Sequence, residues 1–132
     1  MQGVDNDKIL YRKAVAIRRD FERRLIEPGL LEKIYTVYNP ALTNPESFLA
    51  TATQLFPALN CGLASVYLQT VLGKGEIIHG TYKSEGHTFL AIKNLIIDIT
   101  ADQFGGPKVY VGTLRWPWQK PGPMNRTITG GR

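Results

Sequence analysis

With one cysteine and two histidines in 132 residues, the chain is short of the side chains that usually staple or metallate a small protein. A single cysteine cannot close an intramolecular disulfide, so the fold must rest on burial and hydrogen bonding. The paired Cys or His spacing of zinc sites is missing, and neither a metal nor a cofactor is expected. A lone free thiol suits a reducing compartment, which points to the cytoplasm. No apolar run approaches the roughly 20 residues needed to cross a bilayer. The opening Met1-Gln2-Gly3-Val4-Asp5-Asn6-Asp7 is polar and acidic, unlike a secretory leader. There is no P-loop, no dinucleotide glycine pattern, no repeat and no low-complexity segment.

What is present is the composition of one modest globular core, since 132 residues suffice for a single domain and not for two. The net charge of +5 is local. Lys8, Arg12, Lys13, Arg18, Arg19, Arg23 and Arg24, set against Asp20 and Glu22, account for all of it. The excess therefore belongs to one helix, read as a solvated face able to dock on an acidic protein partner. Nucleic acid is not needed to explain it.

Leu10, Ala14, Ile17, Phe21 and Leu25 recur at helical spacing, with Asp5 or Asp7 as cap and Pro28-Gly29 as stop. Residues 30–38 form a shorter helical candidate that ends at Asn39-Pro40. Asn44-Pro45 opens a third helix carrying Phe48, Leu49 and Leu55 and ending near Pro57. A fourth follows Cys61, with Leu63, Val66, Leu68 and Val71 inward and Gly73 as terminator. From Gly75 the period shortens. Residues 76–82, 88–93, 95–100 and 109–111 read as strands, with Lys93-Asn94 a tight turn. Helices first and an antiparallel sheet second predict an α+β fold. One domain is expected over residues 1–120, helical in 1–45 with a mixed core in 46–120, followed by a flexible tail over 121–132.

The chemistry-bearing residues fall into an order. Cys61 lies between Asn60 and Gly62 at a helix start, His87 lies in Gly86-His87-Thr88-Phe89, and Asp98 lies in Leu95-Ile96-Ile97-Asp98-Ile99. A helix N-terminus and a neighbouring imidazolium both favour thiolate, the reactive form of cysteine. Side chains alternate along strands, so adjacent antiparallel strands can set His87 and Asp98 side by side. An aspartate in so apolar a strand is costly unless paired. His79 is the rival base, but no acid follows it at hairpin distance. Gln54 and Asn60 are candidate oxyanion donors, and Gln103, Trp116 and Trp118 are candidates to line a substrate groove.

The order of nucleophile helix, histidine strand and acid strand resembles the papain-like and transglutaminase-like superfamily of cysteine acyl-transfer enzymes. The resemblance covers about residues 54–112, and the N-terminal helices lie outside it. It implies Cys61 as nucleophile, His87 as base and Asp98 as the residue that orients the imidazole. Small papain-fold toxins and effectors are also similar, with an Asn-Cys pair opening the helix and a glutamine after the acid strand, as Gln103 stands here. That likeness adds the cytoplasm of a target cell as a destination. The expected activity is acyl transfer on an amide of a protein or peptide, by deamidation, transglutamination or proteolysis. The competing class is a non-enzymatic binding module with a buried, structural Cys61 and the basic helix docked on an acidic protein or nucleic acid.

Overall fold

The computed structural model describes residues 2–122. Four helices come first: α1 (Gln2–Glu22), α2 (Pro28–Tyr38), α3 (Pro45–Leu55) and α4 (Cys61–Leu72). Five strands follow: β1 (Glu76–Tyr82), β2 (Glu85–Ile92), β3 (Leu95–Asp98), β4 (Tyr110–Thr113) and β5 (Trp118–Gln119), with a 3-10 turn at Ala101–Phe104 after β3. The strands form one antiparallel sheet in the order β4-β3-β2-β1-β5. The architecture is α+β. The expected tail falls largely on residues 123–132, outside the described residues.

Helix boundaries follow from local chemistry. Asn44 caps α3 by accepting the Ser47 N–H at 3.1 Å, with Pro45 in the first position, where no N–H is needed. Gly73 closes α4 in the left-handed region at φ 71°. Two expectations need correction at α1. The helix already runs from Gln2, so Asp5 and Asp7 lie inside it rather than at its start. It ends at Glu22, ahead of Pro28-Gly29. The Leu25 N–H bonds back to the Asp20 carbonyl and the Arg24 N–H to the Phe21 carbonyl, with Arg24 at φ 56°. This is a Schellman close with arginine where glycine is usual, so no glycine marks it in the sequence. Pro28 instead opens α2, where the Glu27 carboxylate accepts the Leu30 N–H at 3.1 Å.

The apolar stripe of α1 (Leu10, Ala14, Ile17, Phe21) is buried as expected, but Leu25, past the helix end, is 65% exposed. Val71, expected inward, is also exposed, on the outer face of α4. The sheet is buried on both sides. Leu90, Ile92, Ile97 and Ile99 join the helices in one core. Ile78, Tyr82, Phe89, Ala91, Ile96, Ala101 and Trp118 form a second. Two-sided burial explains why β2 and β3 read as near-continuous apolar runs rather than alternating ones. Lys83 and Ser84, both at positive φ, make the two-residue turn that joins β1 to β2. Gly80 is required where β5 crosses β1, because a Cβ there would meet the Gln119 carbonyl oxygen.

Arg18 departs from the solvated-face reading of α1. Only 6% exposed, it forks onto Asp102 with contacts of 2.8 and 2.9 Å. It also donates to the Ile99 carbonyl at 2.8 Å, pairs with Glu22 at 2.8 Å and stacks over Phe56. This guanidinium fastens α1 to the turn that follows the aspartate strand. Lys8, Arg12, Lys13, Arg19, Arg23 and Arg24 are the solvated charges. No described helix is long and apolar enough to cross a membrane.

Candidate active site

Cys61 is the first residue of α4, and the loop before it is tightly held. Asn60 is 1% exposed and donates both amide hydrogens, to the Ala52 carbonyl at 2.9 Å and the Ala58 carbonyl at 2.7 Å. Its own carbonyl takes the first intrahelical bond, from Ala64 N–H at 2.7 Å. Leu59 sits at φ 69°, a left-handed conformation that costs a leucine stability. The amide of Asn60 thus pins the end of α3 to the start of α4 and gives that start no side-chain cap. The first-turn N–H groups of α4 are left for another partner.

β2 begins at Glu85, three residues ahead of the expected boundary, which puts His87 inside the strand. His87 shares the face of Phe89 and Ala91, while Thr88 shares the face of Leu90 and Ile92, against which α4 packs. β3 pairs with β2 so that Ile97 lies opposite Leu90, and Asp98 falls on the face of His87. The His87 Nε2–H donates to Asp98 Oδ2 at 2.6 Å, with both side chains out of solvent.

Such a buried pair is costly unless the remaining lone pairs of the carboxylate are satisfied. Here they are. Asp98 Oδ2 also accepts the Trp118 indole N–H at 2.7 Å. Oδ1 accepts the Thr100 N–H at 2.9 Å and the Thr100 hydroxyl at 3.4 Å. Tyr82 and Phe104 turn ring edges or faces to the imidazole, with Phe104 perpendicular at 5.2 Å between centroids.

The second imidazole nitrogen, Nδ1, is buried and has no aligned hydrogen-bond partner among the described residues. The group beside the ring is the Cys61 thiol, close enough for each to shift the other. Resting catalytic contacts are often loosely aligned in this way before substrate binds. Burial pushes the thiol up, but the imidazole and the Thr88 N–H and hydroxyl outweigh it and hold Cys61 below its ordinary value. Burial likewise pulls His87 down, and the Asp98 hydrogen bond, then Cys61, raise it to about 9. Both shifts run in the direction that favours a thiolate beside an imidazolium. Set beside known protein families, characterised proteins and solved structures, the chain matches none of them.

Other sequence candidates lie at varying distance from this centre. Gln54 is exposed on α3 and lines a cavity of about 600 Å³ between α1, α2 and α3. That lining includes Asn60 but none of Cys61, His87 and Asp98, so the cavity lies apart from the chemistry. The Asn60 amide hydrogens are both committed to carbonyls, which removes this side chain as an oxyanion donor. Gln103 turns back onto the Thr100 carbonyl at 3.1 Å, in the turn that follows Asp98. Trp116 is 62% exposed. Trp118 is 3% exposed and braces Asp98 rather than lining a groove.

Sequence reading missed Thr88, Thr100, Tyr35, Tyr38 and Phe104. Tyr35 and Tyr38 of α2 crowd Gly62, with the Tyr35 hydroxyl 3.4 Å from where a Cβ would stand. A glycine directly after Cys61 was the one available signal for such an approach. Among the described residues, no group of three or more His, Cys, Asp or Glu is placed to hold a metal ion.

Proposed function

We propose that the protein is a cysteine-dependent acyl-transfer enzyme acting on amides through Cys61, His87 and Asp98. The observation that carries this reading is the buried His87–Asp98 pair at 2.6 Å, with its free nitrogen on the side of a thiol held below its ordinary pKa. A carboxylate with four hydrogen bonds fixes the ring, its tautomer and its charge.

The chemistry follows from that arrangement. The Cys61 thiolate attacks the amide carbonyl carbon, and the developing oxyanion meets the uncapped N–H groups at the start of α4. His87 passes its Nδ1 proton to the departing nitrogen, which leaves as an amine or ammonia and yields a thioester on Cys61. Water or an amine then attacks the thioester, His87 takes the proton of the attacking group, and Cys61 departs as thiolate. A side-chain amide or short peptide suits a domain of this size, which has little surface for an extended peptide cleft.

The test compares wild type with Cys61→Ala in a cellular lysate, read by mass spectrometry. Deamidated glutamines, isopeptide cross-links or new termini appearing only with wild type support the reading and identify the acceptor. Identical peptide inventories from the two proteins defeat it. The basic face of α1 remains the docking surface for an acidic substrate protein within this proposal.

A further inference from the structure

Beside Cys61 runs a second chain of polar groups that the mechanism above leaves unused. Thr88 stands beside the Cys61 thiol, close enough for its N–H and hydroxyl to hold the thiol below its ordinary value. The Thr88 hydroxyl also lies 3.2 Å from His79 Nδ1, its cross-strand neighbour. His79 Nε2 in turn lies 3.1 Å from the Tyr38 hydroxyl on α2, and the two rings stack at 5.9 Å. Three elements that meet only in the folded protein thus converge on the sulfur: α2, β1 and β2.

Donor counting gives this chain a direction. A threonine hydroxyl has one hydrogen, and if it is donated to a thiolate, the oxygen must accept from elsewhere. His79 Nδ1–H meets that need. Its Nε2 is then an acceptor, and the Tyr38 hydroxyl donates to it. Burial, then proximity to Tyr35 and Cys61, push the Tyr38 phenol up, which keeps it a donor. Every hydrogen is used once, and the sequence Tyr38 to His79 to Thr88 ends on sulfur.

We propose that Tyr38, His79 and Thr88 form a hydrogen-bonded relay that aims the Thr88 hydroxyl at the Cys61 thiolate, with His79 as a positioning residue rather than the base. Resting on the thiolate reading above, the proposal assigns the second histidine a part in the same reaction. The relay and His87 both hold the negative charge on sulfur. It also fixes the thiolate rotamer, because the Thr88 N–H and hydroxyl grip the sulfur from one residue. The other titratable groups facing the thiol are Tyr35 of α2 and His87, with Asp98 of β3 behind the imidazole.

The experiment is the pH profile of iodoacetamide alkylation of the folded protein, which needs no substrate. Thr88→Val removes a hydrogen bond to a charged group at nearly constant shape, and raises the midpoint by about one pH unit, a roughly tenfold slower reaction below it. His79→Ala and Tyr38→Phe shift the midpoint in the same direction by less. Thr88→Ser and His79→Gln restore a hydroxyl and a donor–acceptor pair, and return the profile towards wild type. Thermal unfolding of each variant establishes that the comparison is between folded proteins. A depressed wild-type midpoint left in place by Thr88→Val and His79→Ala overturns the relay and leaves the His87 reading intact. A wild-type midpoint at the ordinary thiol value, near ~8.5, overturns the activated thiol itself.

Discussion

Removing the thiol should expose a pH dependence of stability that wild type conceals. His87 is raised from 6.5 to about 9, so its contribution to stability is complete below 6.5 and is lost as pH climbs through 9. Cys61 is lowered, so its contribution is present above the thiol's unfolded value and is lost as pH falls through the folded one. Between about pH 6.5 and 8.5 one contribution fades while the other grows. The two contributions run in opposite directions with pH there, so in wild type they partly offset one another. Cys61→Ala deletes the rising half. At about 1.4 kcal/mol per unit the full His87 shift is worth about 3 kcal/mol, and the Asp98 hydrogen bond, the largest cause raising it, survives loss of the thiol. Equilibrium urea unfolding of both proteins, under reducing conditions from pH 6 to 9.5, reads this directly. Relative to wild type, Cys61→Ala should lose stability as pH rises across that range, by no more than about 3 kcal/mol. A variant whose stability tracks wild type at every pH would show that Asp98 does not hold an imidazolium.

Two further substitutions probe the groups that support the pair. Trp118→Phe keeps the ring in the second core and deletes the indole donor to Asp98, with an expected cost of about 1.5–3 kcal/mol in unfolding free energy. The three remaining donors hold the carboxylate, so Cys61 alkylation at neutral pH should stay within about threefold of wild type, an energy change of ~0.6 kcal/mol. A drop of two orders of magnitude would contradict that division of labour. Arg18→Met leaves Asp102 without its fork and the Ile99 carbonyl without its donor, at about 3 kcal/mol. Chemical denaturation checks it, and an unchanged midpoint would return Arg18 to the solvated face.

Much of the architecture was legible because local chemistry and tertiary packing agree. Asn44-Pro45 and Gly73 mark helix ends by capping and by left-handed geometry, and both operate as written. The α+β class followed from the change of period at Gly75. Alternation in β2 and β3 anticipated that His87 and Asp98 share a face, and the register sets them 2.6 Å apart. The misreadings have a common origin in partners distant along the chain. Helical spacing sets Arg18 beside the apolar stripe and Arg19 on the far face, but only the arrival of Asp102 gives the buried guanidinium its partner. Asn60 stood next to Cys61 as a candidate oxyanion donor, whereas its amide is consumed by two carbonyls of the preceding segment. β5 has two residues, too few to show any period, and with it went the role of Trp118. The Tyr38–His79–Thr88 chain crosses three elements and has no sequence signature beyond the cross-strand pairing of His79 with Thr88.

The bond from Trp118 to Asp98 also bears on how the protein comes into being. As the chain is made from its N-terminus, Cys61, His87 and Asp98 are all in place before Trp118 has been added. Until then the aspartate lacks one of its four donors, and β1 presents an unpaired edge at Thr81 and Tyr82. A nascent chain at that stage holds the Cys61 thiol and an acid short of one donor in the same unfinished pocket. Completion of the pocket thus falls to a two-residue strand near the end of the described fold, and residues 54–112 transplanted alone would carry Cys61, His87 and Asp98 without the clasp that closes them.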